Sequence, residues 1–256
     1  MAMNLFNAPQ NLLLVGLCVA LASYIQSLTG FAFGLIFLGL VSSFQLMLIP
    51  EATNVITLIS LIQTVIYFHE FPLTSEWKVV RPAIWPSLAG VALGVMLLSW
   101  LSGNALHWLR ITLGVAILMS GGLLLARVQT KVRLNKPGTF ALTGLVSGLM
   151  SGMFSTGGPP MVYLLYRQPL GLEVIRQCML VMFGIGQLVR LAIVVATGQF
   201  TIGSIGYALL AIPLVFLITK GHKHFPLGLS PAITFRIAAI LLLITGTGLI
   251  LSSIEK

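Results

Sequence analysis

The chain contains no aspartate. Its five acidic residues are Glu51, Glu70, Glu76, Glu173 and Glu255 in a total of 256. An aspartyl protease is thereby excluded. Charge of either sign is scarce, at 7% of residues, where soluble domains carry about 25%. Hydrophobic residues make up 57% and the mean hydropathy is +1.04, which together describe a polytopic membrane protein. The two cysteines, Cys18 and Cys178, lie in apolar runs with no metal-type spacing. They read as small core residues, and nothing implies a metal or other cofactor. No Walker motif is present, so this chain does not drive itself with ATP. The four histidines (His69, His107, His222 and His224) fall at segment ends, where none faces a buried serine as an intramembrane serine protease requires. His222-Lys223-His224 reads as a solvated stretch of a basic loop. The chain is therefore not expected to be an enzyme. The N-terminus lacks the charged region and cleavage site of a signal peptide.

The net charge of +9 does not indicate nucleic-acid binding, because no basic domain stands outside the apolar segments. It fits cytoplasmic loops that carry Lys and Arg. Spans of about 20 apolar residues place helices near 11–28, 32–48, 52–69, 82–101, 105–126, 138–154, 172–197, 202–220 and 231–252. A segment at 159–167 is too short to cross alone. Pro50 is expected to end one run, with Glu51 capping the next.

Two interruptions stand out. Ser155-Thr156-Gly157-Gly158-Pro159-Pro160 cannot continue a helix, because its glycines loosen the backbone and its prolines remove donors. Ser27-Leu28-Thr29-Gly30-Phe31 forms the matching junction. Irregular backbone inside apolar sequence is tolerated only where it is buried in protein or lines a wet cavity, so each break is a candidate site. A bland alternative is a tight packing corner built from small residues.

The halves match internally. Gly16, Ser23, Ser27 and Gly30 recur as Gly144, Ser151, Ser155 and Gly158, and Arg110, Gly122 and Leu123 recur as Arg236, Gly248 and Leu249. Glu51 pairs with Glu173, and Gln63 with Gln187. This pattern predicts an all-α membrane protein of two five-segment repeats, 1–126 and 138–256, joined by a basic linker, 127–137. An odd number of crossings per half makes the repeats inverted, a common transporter plan. With ten crossings, the basics of 78–81, 127–136, 167–176 and 220–223 share one side, the cytoplasm. The tryptophans agree, with Trp77 and Trp85 near the inner face and Trp100 and Trp108 near the outer one. The alternative, that segments 2 and 7 dip in and return, moves 167–176 and 220–223 to the other side.

The candidate substrate-binding residues are Ser27, Thr29, Gly30, Phe31, Asn54, Ser155, Thr156, Gly157, Gly158, Gln187 and Arg190. Helix N-termini after the breaks offer N–H donors and positive partial charge to an anion. Arg176, Gln187 and Arg190 fall on one helical face, and Arg190 lies about 21 Å along the helix from Arg176. A guanidinium so deep needs an anion, a wet cavity, or backbone carbonyls at a break. Replacing it by Gln is expected to abolish anion uptake without unfolding the chain. A polar stripe of Asn54, Thr57, Ser60, Thr64 and Tyr67, with Gln63 beside it, lines either a pathway or a helix interface. Arg110 and Arg236 read as snorkelling side chains. Glu51 and Glu173 read as helix caps, and with Arg176 they are the candidates for coupling to H+ or Na+.

The stretch Gly144–Pro160, GLVSGLMSGMFSTGGPP, and its partner Ser27–Gly34, SLTGFAFG, resemble the TauE/SafE family of sulfite and organosulfonate exporters. The resemblance extends over essentially the whole chain. It implies a transporter of small sulfur-containing anions, organic or inorganic, in the bacterial inner membrane, and often outward movement. Under this reading the two halves rock about a central anion site. A passive anion channel and a non-transporting subunit of a membrane assembly are the alternatives.

Overall fold

The computed structural model describes residues 9–29, 33–70, 73–125, 132–224 and 231–254. Ten α-helices account for nearly all of them, namely α1 (Pro9–Thr29), α2 (Phe33–Ser43), α3 (Ile49–Glu70), α4 (Arg81–Asn104), α5 (Leu106–Leu125), α6 (Pro137–Phe154), α7 (Pro159–Tyr166), α8 (Leu172–Ala196), α9 (Ile202–His224) and α10 (Pro231–Ile254). A 3-10 turn, Ser75–Val80, leads into α4. The all-helical class agrees with the apolar runs. The Gly30-Phe31 junction, residues 127–131 of the linker, Glu255, and the side chains of Ser27, Thr29 and His222-Lys223-His224 lie outside the described residues.

Five helical stretches are long and apolar enough to cross a membrane, at Ile49–His69, Glu76–Asn104, Leu106–Leu125, Leu172–Ala196 and Arg236–Ser253. The outward faces of the helices carry large bare apolar side chains such as Leu13 on α1, Val65 on α3, Met96 on α4 and Leu217 on α9, which suit lipid rather than water. Trp85, Trp100 and Trp108 are also exposed, at the two ends of α4 and the start of α5, where aromatic belts form.

Two boundaries differ from expectation. The second segment does not run to Leu48, because α2 stops at Ser43 and the chain reverses with Gln45 at φ 53°. At 11 residues, α2 is about 16 Å long and cannot span the membrane. Pro50 does not end a run; it sits in the first turn of α3, where a missing N–H costs nothing.

The eight residues of α7 cover only about 12 Å. Gln168, just past its end, accepts a hydrogen bond from Asn135 N at 2.9 Å, just before α6 begins. The chain therefore returns to the end from which α6 started. Ser147, midway along α6, donates to Gly157 O at 2.8 Å, which sets the start of α7 at half the depth of α6.

The main packed pairs follow a pattern. Helix α6 packs on α4 as α1 packs on α9; α8 meets α4 as α3 meets α9; α7 meets α5 as α2 meets α10. The α3–α8 and α5–α10 pairs map onto themselves when each helix is exchanged for the one five places along. The tightest pair is α4 with α6. A methyl group at Gly144 would stand 2.6 Å from Ala83 O, and one at Gly148 or Gly152 would collide with Ser87 O or Val91 O. Small residues at a four-residue interval thus let the two backbones touch. The internal match Gly16/Gly144 does not extend to packing, since nothing lies within 4 Å of a methyl group at Gly16.

Gly148→Val is expected to destabilise the protein by about 1–3 kcal/mol through overpacking. Gly122→Ala, at an open helical site with nothing within 4 Å, is expected to hold or raise the melting temperature. Thermal unfolding in detergent compares them, and equal losses would contradict the close α4–α6 contact.

Candidate substrate site

The antiparallel pair α3 and α8 forms the frame, and the break between α6 and α7 lies against it. Arg190 projects from α8 six residues before the helix ends at Ala196, and its side chain is 1% exposed. Its Nε donates to Gly152 O at 3.1 Å. Nη1 donates to Asn54 Oδ1 at 3.1 Å and to Thr57 Oγ1 at 2.8 Å, and Nη2 to Thr53 Oγ1 at 2.8 Å. Four of the five guanidinium N–H donors are thus occupied, all by neutral groups. Among the described residues no carboxylate pairs with Arg190.

Of the alternatives for this arginine, the protein-internal part is met by a carbonyl at the break together with hydroxyls and an amide. The charge itself stays uncompensated. Neutral dipoles satisfy hydrogen bonds but do not cancel a buried positive charge. Arg190→Gln is therefore not the folding-neutral change that the sequence alone suggested.

The break adopts a defined shape. Ser155 takes the left-handed conformation at φ 53° and ends α6. Its Oγ lies 2.7 Å from Thr53 O and 2.9 Å from Thr57 Oγ1, and its carbonyl accepts from Gln187 Nε2 at 2.7 Å. Gly158 has φ 67°, and a methyl group there would collide with Ser147 Oγ, so only glycine fits. A side chain at Gly157 would run into the Phe183 ring, which covers this part of the break. The first turn of α2 reaches the same place, because a methyl group at Gly34 would stand 3.0 Å from Thr156 Cγ2 and 3.5 Å from Ser155 O.

The donors at α7 are not those expected of a helix N-terminus. Pro159 and Pro160 have no N–H. Gly158 N donates to Thr156 O, and Met161 N to Gly158 O. The open donors lie just upstream. Among the described residues none accepts from the N–H of Thr156 or Gly157. The buried hydroxyls of Thr156 and Ser151 also lack partners, as does Gln187 Oε1. Unpaired buried polar atoms are few in native proteins, and here three of them gather beside one uncompensated cation. A small oxyanion is a ligand that accepts from the two hydroxyls and the two open N–H groups and balances the charge, while Gln187 Oε1 is itself an acceptor and does not bind it.

The remaining candidates separate from this centre. Asn54 is spent at both ends, holding Arg190 through Oδ1 and donating Nδ2 to Gln199 O at 3.3 Å, so it positions the arginine. Glu173 and Arg176 lie exposed at the other end of α8, where the Tyr67 hydroxyl donates to Glu173 and the Arg176 guanidinium stands 5.1 Å from the Tyr67 ring centre. Glu173 does not cap α8, whose N-cap is Gly171. Glu51 sits half-buried in the first turn of α3 and is likewise not its cap. Thr53, Ser147 and Ser151 were not among the candidate binding residues, although Ser151 took part in the internal match. The four-residue spacing of Thr53 and Thr57 beside a buried arginine was the available signal.

The family profile "Sulfite exporter TauE/SafE" matches residues 15–249. A protein of Cupriavidus necator described as "Probable sulfite/organosulfonate exporter TauE" is 31% identical over 233 residues, covering 91% of each chain. No solved structure is significantly similar.

Arg190→Met would leave Asn54 Oδ1 and Gly152 O without their donor, while the Thr53 and Thr57 hydroxyls would keep their own bonds to Pro50 O and Thr53 O. Each buried group so orphaned costs about 1–3 kcal/mol, so the variant should unfold at a clearly lower temperature. Arg190→Lys, with three donors and no fork, should fall between the two. An unchanged melting temperature for Arg190→Met would contradict the bonding described.

Proposed function

The chain belongs to the TauE/SafE family, and on that premise we propose that it is a secondary transporter moving a small sulfur-containing anion, sulfite or an organosulfonate, out of the cell. The observation that carries this reading is the donor set at the break. Two open N–H groups and two unpartnered hydroxyls lie at Thr156, Gly157 and Ser151, close to a buried cation with no acid beside it. A sulfonate or sulfite offers three oxygens and a negative charge to such a set. The printed name of the Cupriavidus necator relative agrees with that substrate class.

Under this proposal 1–126 and 138–256 are inverted repeats joined by the basic linker, in the bacterial inner membrane with the basic loops cytoplasmic. The exchange symmetry of the packed helix pairs supports the repeats. The Asn135–Gln168 contact, which puts the 167–176 basics at the end of the linker, supports the orientation. Alternating access then comes from one repeat rocking on the other around the half-length helices α2 and α7. An anion leaving an inside-negative cell gains about 2.3 kcal/mol per charge per 100 mV, so export needs no coupled ion. The Tyr67–Glu173–Arg176 cluster is where coupling to a proton would act, and the chain is taken for a transporter, not an enzyme.

Thr156→Val tests the site without disturbing the frame, because no protein group depends on the lost hydroxyl. A hydrogen bond to a charged ligand contributes about 1.5–3 kcal/mol, so KM for the anion in proteoliposomes should rise about 10- to 100-fold at an unchanged melting temperature. A folded Thr156→Val protein with wild-type KM would remove the break from the transport path.

A further inference from the structure

A groove of about 450 Å³ lies along α7 between α5 and α6, lined by Leu123, Thr139, Thr143, Pro160, Tyr163 and Arg167, with Asn135 and Leu164 beside them. It runs from Arg167 at the linker end to Pro160, two residues past Gly158. The seven-residue step between these two is about 10 Å on a helix. The Arg167 guanidinium stands 5.4 Å from the centre of the Tyr163 ring, one turn back. Among the described residues no side chain or carbonyl accepts from that guanidinium. The hydroxyls of Thr139 and Thr143 likewise bond to no described residue.

These two threonines open a ladder. Thr139, Thr143, Ser147 and Ser151 follow at steps of four along one side of α6. The first two line the groove. Ser147 bonds the break at Gly157 O, and Ser151, 4% exposed, ends the ladder unpartnered beside the central site. A cation that meets an aromatic ring but no acid at the mouth, hydroxyl donors along the wall and apolar residues opposite form a path for a small oxyanion.

The geometry points to this groove as the inner vestibule of the transport path. There Arg167 captures the oxyanion from the linker side, and Thr139 and Thr143 relay it to the break. This assignment rests on the transport reading above and adds to it a second, weaker site for the same class of ligand. The same oxyanion chemistry is carried by a lipid phosphate, so the test must separate the two sources.

In proteoliposomes Arg167→Gln should raise KM for sulfoacetate added on the groove side at least fivefold with Vmax unchanged, and Arg167→Lys should restore most of it. Thr143→Cys supplies a second readout. The native cysteines, Cys18 and Cys178, are buried, so the unsubstituted protein is the unlabelled control. A sulfonate-bearing maleimide should label Thr143→Cys, sulfoacetate should slow the labelling, and the modified protein should lose transport. If the wild type transports but KM of Arg167→Gln is unchanged and sulfoacetate gives no protection, the vestibule is wrong and the break site stands. Protection that follows the phosphatidylglycerol content of the liposomes instead of sulfoacetate would assign Arg167 to lipid phosphate and overturn the proposal. If the wild type moves no sulfur anion, the transport reading itself fails.

Discussion

The buried guanidinium of Arg190 is the interaction on which the centre of the protein depends. It joins α8 to α3 through Thr53, Asn54 and Thr57, and to the end of α6 through Gly152 O. Apolar packing alone specifies register weakly between helices that are uniformly apolar. A planar fork with four fixed acceptors specifies it well. The same fork brings a full positive charge into a place where charge is costly. With no acid beside it, the cation is tolerable because its donors are nearly all used, and it remains available to an anion because its charge is not balanced.

Helix α6 serves two masters on two stripes. Gly144, Gly148 and Gly152 let it lie backbone to backbone on α4. Thr139, Thr143, Ser147 and Ser151 run along an adjacent side toward α7 and the break. Close approach on one side holds the helix still, and that rigidity keeps the donors on the other side in place when no ligand orders them. Removing the glycines would therefore be felt at the site as well as in stability. The half-length helices α2 and α7 complete the arrangement, with the first turn of α2 set against the break before α7 where Gly34 approaches Ser155 and Thr156.

Much of this was legible in the chain. Apolar runs placed eight of the helices to within a few residues, and the Gly-Gly-Pro-Pro break marked where α6 gives way to α7. The 11- and 14-residue spacings put Arg176, Gln187 and Arg190 on one helical face, of which Gln187 and Arg190 are buried while Arg176, near the start of α8, is exposed. What failed had local causes. The end of α2 depends on Gln45 adopting a left-handed turn, which no composition signals. The caps assigned to Glu51 and Glu173 ignored that Pro50 fits inside the first turn of a helix and that Gly171 can serve as a cap. The donors of α7 were overvalued because two prolines at a helix start fix its shape while removing the very N–H groups an anion would use. Partners separated by more than a hundred residues, such as Thr53 and Arg190, are invisible to any local pattern.

The most direct measurement is the melting temperature of the purified protein against concentration of sulfite or an organosulfonate, at constant ionic strength set with chloride. A ligand that binds only the folded state stabilises it by about 2.7 kcal/mol at 100 times Kd. The account predicts a rise with the logarithm of sulfur-anion concentration in the wild type, and a weaker rise in Thr156→Val. A flat response to every sulfur anion, or one matched by chloride, would contradict the claim that the uncompensated charge at the break is there to meet that anion.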